Sequence, residues 1–480
     1  MKINKQKMVF AVLLVAVACT KQENGSNPES DKGTISVTPA SQTLDYKSGS
    51  VTVSVRANKA WQATASENWI TVTPSRGEGN ADVTVSVTKN GTGEERRGKV
   101  TFGLNMGNAS AEVTVTQATN VGPDGIVNAT IAEFNAEPDS DKMWYRITGE
   151  IISISSYAYG DLYIKDDTGF LYVYGLAPAK GGSTQDFKSL NLKAGDVVTL
   201  VGNRTTYGEK KVIETANAYY ESHTAGRGYP GFTEKSAKAT WLELPATSES
   251  ADGNVFIHHR DEAGGRNFSA YFSTGDRVSR WVCYPYVYGQ GEDGRHNDPY
   301  AFDPLVDVGN QATLSKSYKG DFIRGHMVPS NDRAGRANYD VFLATNIMPQ
   351  DYSLNGGIWS DLEKKVHSKW ASQSDTLYVV TGADIAGSTT TETDIDNKTV
   401  TVPVGVYKAI LAKTKQGEYK ALGIYLDNKP NANATVSGSM AISIDELEKK
   451  VGTDFFVNLP DDVEKDVEAA DPQADNWWWQ

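Results

Sequence analysis

A group of residues that together suit phosphodiester hydrolysis lies between Lys319 and Trp370. A neutral imidazole, with an ordinary pKa of about 6.5, can take a proton from water near neutral pH, and His326 supplies one. A side-chain amide oxygen suits a hard cation such as Mg²⁺, which keeps several of its waters, and Asn355 supplies one. Glu363 can orient metal-bound waters, and arginines can neutralise the phosphate. These residue types predict metal-assisted attack of water on phosphorus.

The elements that must position these groups follow the order strand, loop, helix. Leu354 to Trp370 is predicted to be helical, with Asn355, Trp359 and Glu363 at positions i, i+4 and i+8. That spacing places the three side chains on roughly one face, and a histidine on the preceding strand would lie across a narrow cleft from them. Each residue alone also suits an ordinary structural role. His326 could be a loop histidine, and Asn355 could be a helix N-cap.

Taken together, the motifs resemble the DNA/RNA non-specific endonuclease family, the ββα-metal nucleases. The stretch from Asp321 to Pro329 resembles the family's Asp-Arg-Gly-His motif, Asn346 to Gln350 its Asn-x-x-Pro-Gln element, and Trp359 to Glu363 its Trp-x-x-Leu-Glu helix. The resemblance implies a role for each matching residue: His326 as general base, Asn355 as metal ligand, Glu363 as the carboxylate on metal waters, Asn346 as a supporting residue, Arg324 as the motif arginine, and Arg295 as the phosphate-stabilising arginine.

The resemblance covers about Val255 to Glu468, and one position departs from it. Ile323 stands where the family usually has Asp, which puts some loop hydrogen bonding in doubt but not the base or the metal ligand. The resemblance implies an α+β ββα-metal nuclease domain that uses Mg²⁺ or another divalent cation such as Mn²⁺. It further implies DNA and RNA as substrates, cut with little sequence preference because contacts to the backbone carry no sequence information. The products would carry 5′-phosphates.

The whole chain is predicted to be multidomain, and its first folded segment is all-β. Between residues 34 and 119, runs such as Val83 to Val87 alternate apolar and polar residues, which indicates short half-buried strands and an all-β sandwich. The segment resembles a BACON domain, a module suspected of binding glycans. The alternative is a spacer whose tryptophans, Trp61 and Trp69, sit in its own core.

A second β-rich segment, residues 126–222, has the strand pattern of an OB-like β-barrel. Such barrels bind single strands through aromatic and basic side chains. The candidates here are Tyr157, Tyr159, Tyr207, Arg204, Lys210 and Lys211. A structural module without a ligand is the alternative. Residues 223–254 are predicted to be a linker that leads into the nuclease domain, residues 255–480.

The beginning of the chain predicts export. Lysines precede an apolar run from Met8 to Ala18 that is too short to span a bilayer, so residues 1–19 are predicted to be a signal peptide. The small residues before Cys19 resemble a bacterial lipobox, in which Cys19 would be acylated and would anchor the protein to a membrane. Residues 20–33 form a polar linker. We therefore expect an exported bacterial lipoprotein, periplasmic or on the cell surface.

Composition limits the classes of function. The net charge of −13 argues against a protein that coats nucleic acid, although a local basic cleft remains compatible with it. Cys19 and Cys283 are the only cysteines, so a modified Cys19 leaves no disulfide. The acidic stretch from Asp461 to Asp471 and His367 are predicted to face solvent. Trp477 to Trp479 either dock on the domain or form a flexible end, and the oligomeric state stays open.

Two other functions fit the same sequence. The first is a surface glycan-binding or nucleic-acid-binding protein whose nuclease-like domain is catalytically inactive. The second is a phosphodiesterase that acts on small substrates. Intact His326, Asn355 and Glu363 favour catalysis over the inactive form.

Overall fold

The computed structural model describes residues 32–209, 211–248, 253–291, 299–431 and 435–480. The predicted signal peptide, Cys19, most of the polar linker and Arg295 lie outside these residues. The chain forms two compact units, one ending at Asn120 and the other beginning at Val121. Within the described ranges, no helix has both the length and the apolar character needed to cross a membrane.

The first unit consists of two β-sheets. Its strands are β1 (Ile35–Thr38), β2 (Ser41–Leu44), β3 (Gly49–Ala57), β4 (Ala60–Ala65), β5 (Ile70–Thr73), β6 (Arg76–Glu78), β7 (Ala81–Val87), β8 (Arg96–Leu104) and β9 (Ser110–Gln117). One sheet has the order β1-β3-β7-β5 and the other the order β2-β9-β8-β4-β6.

Alternation along these strands builds one shared core. In β7, Val83, Val85 and Val87 are buried while the threonine and serine between them are not, as expected for side chains that point to opposite faces. Trp61 is fully buried, and its indole nitrogen donates to the carbonyl oxygen of Gly79 at 3.0 Å. Trp69 is also buried. Both tryptophans therefore serve packing, as the spacer alternative predicts.

The second unit begins with a closed five-stranded barrel. Its elements are β10 (Val127–Asn128), α1 (Ile131–Ala136), β11 (Ser140–Ser156), β12 (Asp161–Asp166), β13 (Gly169–Val173), β14 (Val197–Tyr207) and β15 (Val212–Thr224). The barrel order is β11-β12-β13-β15-β14, and β14 pairs again with β11 to close it. Only the β13–β15 contact within the barrel is parallel. Helix α1 starts with a capping box between Thr130 and Glu133 and buries Phe134 in the barrel core.

Two of the barrel residues named as candidates for base stacking have other partners. Tyr157 packs against Phe187 and Phe302, and Arg204 is paired with Asp139 and Thr206. Tyr159 and Tyr207 remain exposed. Long-range packing, which local sequence does not reveal, therefore engages Tyr157 and Arg204, and binding of single strands by the barrel stays a prediction.

The rest of the second unit is organised by an eight-stranded antiparallel sheet. Its order is β16-β17-β18-β19-β22-β25-β26-β27, built from β16 (Gly231–Glu234), β17 (Asn254–Arg260), β18 (Arg266–Ser273), β19 (Val278–Tyr286), β22 (Ser374–Asp384), β25 (Gly405–Thr414), β26 (Tyr419–Asp427) and β27 (Ala441–Ile442). Strand β16 comes from the predicted linker 223–254 and pairs with β17. Part of that linker is therefore an edge strand of the sheet.

The remaining elements lie on the two faces of this sheet or at its edges. They are β20 (Ile323–His326), α2 (Gly335–Asp340), β21 (Ile347–Gln350), α3 (Tyr352–Leu354), α4 (Ser360–Lys364), α5 (Ala371–Gln373), β23 (Thr391–Thr393), β24 (Thr399–Thr401), α6 (Ile444–Val451), α7 (Asp461–Glu468) and α8 (Asn476–Trp479). Two segments of π-helix, Asn355–Trp359 and Lys365–Trp370, join α3, α4 and α5 into one continuous helical segment. We call it the catalytic helix because it carries Asn355 and Glu363, for which the sequence predicts catalytic roles.

Alternate residues of β25 separate two cores. Val406 and Ile410 belong to the core that also contains Trp359 of the catalytic helix. Tyr407 and Leu411 belong to the core that contains Leu447 of α6. Because successive side chains of a strand point to opposite faces, the catalytic helix and α6 lie on opposite sides of the sheet.

The barrel packs directly on α2 and on the chain near Phe302, which also belong to the second unit. The guanidinium of Arg336 in α2 donates to the carboxylate of Glu150 in β11 at 2.7 Å, and the arginine side chain is almost fully buried. The ring of Phe170 stacks on Tyr339 with centroids 4.5 Å apart. The amide of Phe302 donates to the carbonyl oxygen of Ile154 at 3.1 Å.

Candidate active site

A short antiparallel hairpin holds His326. Strands β20 and β21 pair so that His326 lies opposite Ile347 and Ile323 lies opposite Gln350. A side chain at Gly325 would collide with Gln350, so glycine is required where the two strands approach. Glycine at position 325 lets β20 pair closely with β21. The Arg-Gly-His order therefore places the histidine at the end of this paired strand.

Aromatic rings surround the imidazole of His326. The residue is 9% exposed, and its ring lies 4.7 Å from Phe342 in an edge contact and 5.6 Å from Tyr300. These contacts limit the orientations of the ring, and little of the residue is exposed. This geometry suits a fixed proton acceptor.

Arg324 shares a strand face with His326, because residues two apart in a strand point the same way. Its guanidinium carbon lies 3.7 Å above the centroid of Tyr300, and Nη1 donates to the carbonyl oxygen of Leu314 at 2.6 Å. Tyr300 therefore contacts both Arg324 and His326. The contact holds a positive charge close to the histidine.

Asn346 fixes the backbone that follows His326. Its Oδ1 accepts from the amide of Val328 at 2.9 Å, and its Nδ2 donates to the carbonyl oxygens of Val328 and Val341 at 3.0 and 2.7 Å. The carbonyl oxygen of Asn346 also accepts from the amide of Met327 at 2.9 Å. Asn346 is fully buried, and all of these partners are backbone groups. The contacts fit the supporting role that the family resemblance implies.

The catalytic helix departs from regular α-helix. Asp351, not Asn355, caps its start, accepting from the amides of Ser353 and Leu354. Its two π-helical segments are wider than α-turns, and Gly357 has non-helical torsion angles of φ −101° and ψ −112°. Segments of this kind often occur at functional sites.

The three residues predicted to share one face of this helix differ in burial. Asn355 and Glu363 are partly exposed, whereas Trp359 is fully buried in the core. Trp359 therefore serves packing, and the shared face of the three side chains stays a prediction. The predicted helical conformation of Leu354 to Trp370 is confirmed.

Asn355 is oriented by one hydrogen bond. Its Nδ2 donates to Oε1 of Gln350 at 2.6 Å. Among the described residues, no group donates a hydrogen bond to its Oδ1, so the amide oxygen is the atom available to a ligand. A neutral oxygen with room for water beside it is a donor that Mg²⁺ or Mn²⁺ accepts, so the site fits a divalent cation.

A buried lysine, which the sequence analysis did not single out, faces Glu363. Lys408 is fully buried, donates from Nζ to Oγ1 of Thr381 at 2.6 Å, and lies 4.9 Å from the ring centre of Trp359. Burial lowers the pKa of Lys408 to about 8, although the negative charges of Glu363 and Asp332 oppose the shift. In the sequence, Lys408 is a single charged residue within the otherwise apolar run from Val406 to Leu411. Because an unpaired charge is rarely buried, this lysine could have been recognised as unusual.

Asp332 ties the end of the catalytic helix to the sheet. Its Oδ1 lies 2.9 Å from Nδ1 of His367, and its Oδ2 accepts from the hydroxyl of Tyr284 at 2.8 Å. The hydroxyl of Tyr286 also lies 2.9 Å from Nδ1 of His367. The prediction that His367 simply faces solvent was wrong, because these long-range partners hold its ring.

A buried histidine–aspartate pair supports the chain beside His326. Nε2 of His259 lies 3.0 Å from Oδ2 of Asp303, and neither side chain is exposed. Asp303 also accepts from Oγ1 of Thr345, the residue before Asn346. Burial alone would lower the pKa of His259, but Asp303 outweighs burial and raises it. Burial opposes a lower pKa for Asp303, yet His259 holds that pKa below its ordinary value.

Comparison with known proteins identifies relatives of both parts of the chain. Residues 254–462 match the family described as DNA/RNA non-specific endonuclease, and residues 34–120 match the family described as the viral BACON domain. A nuclease of Nostoc sp. is 25% identical over 213 residues, which are 42% of this chain and 75% of the relative. The mitochondrial nuclease EXOG of Danio rerio is 30% identical over 196 residues, 38% of this chain and 57% of its own length. A nuclease of Serratia marcescens is 27% identical over 206 residues, 40% of this chain and 74% of the relative.

Proposed function

Because residues 254–462 form a domain of the DNA/RNA non-specific endonuclease family that follows a BACON domain, we propose that this chain hydrolyses phosphodiester bonds of DNA and RNA. The observation that carries the proposal is the linked hairpin and helix. Strand β20 holds His326, and Gln350 of the paired strand β21 orients Asn355. A proton acceptor and a metal ligand are thus positioned by one small unit.

In the proposed reaction, the imidazole of His326 takes a proton from a water molecule. The water oxygen forms a bond to phosphorus while the bond from phosphorus to the 3′ oxygen breaks. The products are a 5′-phosphate and a 3′-hydroxyl, which takes its proton from solvent. Positioned proton transfer of this kind contributes roughly 10² to 10⁴-fold to rate.

Nucleases of this family depend on a divalent metal, and we propose Mg²⁺, with Mn²⁺ as a substitute. Oδ1 of Asn355 would hold the ion, and Glu363 would hydrogen-bond to its waters. When bound, the ion supplies positive charge that stabilises negative charge on the phosphate oxygens. Arg324 holds its own charge beside His326, and Arg295 is proposed to contact the phosphate. Since these groups would contact the backbone of the nucleic acid and not its bases, little sequence preference is expected.

The proposal also covers the fold of each part of the chain and its export. We assign the first unit as a β-sandwich, because its two sheets share one core. The barrel order β11-β12-β13-β15-β14 with a parallel β13–β15 pair supports an OB-type barrel, and the hairpin followed by the catalytic helix supports a ββα-metal site. The predicted signal peptide and Cys19 support an exported, lipid-anchored enzyme.

The test is digestion of plasmid DNA and total RNA by the purified chain, with Mg²⁺ or with EDTA, beside His326→Ala. We expect metal-dependent cleavage that the substitution lowers by at least about 10²-fold. His223→Ala is the matched control, because His223 is an exposed histidine of the barrel whose Nδ1 lies 2.9 Å from the hydroxyl of Tyr220. Intact nucleic acid with every divalent metal would favour the inactive binding protein. Cleavage of small phosphodiesters alone would favour the phosphodiesterase.

A further inference from the structure

Three acidic side chains meet behind the sheet, on the face opposite the catalytic helix. Asp445 and Glu448 lie on α6, and Glu468 is the last residue of α7. Carboxylate oxygens of the three residues all lie within 4.8 Å of one another. The apolar side of α6 packs against the sheet through Ile444 and Leu447, so these carboxylates are held by well-packed backbone.

Glu468 is the unusual member of this cluster. The sequence predicts that it faces solvent, yet it is 5% exposed, and its Oε1 has no hydrogen-bond partner among the described residues. A buried carboxylate oxygen without a donor is costly, and natural proteins rarely leave one without a compensating group. One carboxylate oxygen of Glu468 lies within the group formed with Asp445 and Glu448, so a cation bound there would compensate this buried carboxylate.

No positive side chain compensates the cluster. Among the described residues, no lysine, arginine or histidine forms an ion pair with Asp445, Glu448 or Glu468. The nearby charges are also acidic, namely Asp454 and Glu464. The surroundings therefore favour a bound cation.

We propose that Asp445, Glu448 and Glu468 form a binding site for one Ca²⁺ ion, separate from the catalytic metal. Calcium takes six to eight oxygen ligands at about 2.3–2.6 Å, so two ligands on opposite sides of the ion lie about 5 Å apart. The oxygen separations in this cluster, at most 4.8 Å, agree with that distance. Three carboxylates leave further positions for water.

The site explains how the closing helices are held to the sheet. Oε1 of Glu448 accepts from the amide of Phe455 at 2.7 Å, which fixes the turn after α6. An ion bound to both helices would join α6, this turn and α7. It would stabilise the chain without contacting His326 or Asn355. The proposal therefore does not depend on the proposed nuclease activity.

The experiment measures binding and stability together in the full chain. The protein is stripped with EDTA, dialysed and titrated with CaCl₂ by calorimetry at pH 8, and its thermal unfolding is followed with and without CaCl₂. We expect saturating Ca²⁺ to raise the Tm by several degrees, because a ligand that binds only the folded state stabilises it. The shift should persist in Asn355→Ala, which removes the proposed catalytic ligand.

Glu468→Gln is the decisive variant, because it keeps the size of the side chain and removes one negative charge. We expect it to abolish the Ca²⁺-dependent rise in Tm while the protein unfolds in EDTA at the same or a higher temperature than the parent chain. Asp466→Asn, an exposed change on the same helix, should leave the rise intact. If Glu468→Gln does not fold, Asp445→Asn replaces it. The proposal is overturned if the parent chain shows no Ca²⁺-dependent rise, or if the variant keeps it.

Discussion

Nδ2 of Asn355 donates to Oε1 of Gln350 at 2.6 Å, which links the catalytic helix to the strand paired with that of His326. The bond determines which end of the amide is available. With the nitrogen engaged, Oδ1 is the atom presented to a ligand, and rotation of the amide is restrained. Residues that orient a metal ligand in this way contribute to metal affinity, nearly as the ligand itself does.

Gln350→Ala is expected to raise the Mg²⁺ concentration needed for half-maximal cleavage by about 10 to 100-fold, because Asn355 loses the partner that orients it. Asn355→Ala should raise it further. The measurement is nuclease rate against free Mg²⁺. Gln350→Glu keeps the acceptor oxygen and should show no such increase, and neither should Gln185→Ala, an exposed change on the barrel. An unaltered metal requirement in Gln350→Ala would contradict the orienting role.

Asp303→Asn is expected to cost more stability at pH 5.5 than at pH 8.5. The pKa of His259 is raised in the folded chain, so its contribution is complete below the ordinary histidine pKa of about 6.5 and is lost as pH rises through the folded value. The pKa of Asp303 is lowered, so its contribution is present above its ordinary value of about 3.9 and is lost at more acidic pH. The pair therefore contributes most between these limits.

Urea unfolding at the two pH values measures this difference. Breaking a buried ion pair by removing one partner costs about 3–5 kcal/mol, which sets the scale at pH 5.5. Asp427→Asn removes an exposed carboxylate paired with Lys429 and should leave stability within about 0.5 kcal/mol of the parent at both pH values. Equal losses of stability at pH 5.5 and 8.5 would contradict the idea that Asp303 keeps His259 protonated at the lower pH.

Trp478→Ala is expected to destabilise the second unit by about 3–5 kcal/mol, the usual cost of truncating a buried tryptophan. Trp478 is 1% exposed, its carbonyl oxygen accepts from the indole nitrogen of Trp370 at 2.8 Å, and the two rings meet edge to face. Circular dichroism during denaturation gives the loss. Trp479→Ala, at a partly exposed position beside it, should cost less. A larger loss in Trp479→Ala would contradict this account of how the chain end docks.

The sequence alone predicted the elements that depend on local patterns. The helix over Leu354 to Trp370 and the alternating strands of the first unit follow from residue periodicity, and the structure contains both. The family was also readable, because residue types at fixed spacing, such as His326 and Asn355, carry the chemistry. Comparison with known proteins confirmed that family.

Other features depend on partners far away in the chain. Lys408 becomes part of the site because β25 passes behind the catalytic helix, and Asp303 reaches His259 only in the folded unit. Trp359 is buried because the helix packs on the sheet, and docking on Trp370 decides that the terminal tryptophans are not a flexible end. Likewise, the acidic stretch contains a buried Glu468 because α7 folds against α6.

The sequence by itself determined the type of chemistry and the local elements, since both depend on the identity and spacing of neighbouring residues. The tertiary structure alone decided which charges are buried, which polar groups meet and which end of the Asn355 amide is presented. These properties depend on desolvation and on contacts between residues distant in sequence, and no local pattern encodes them.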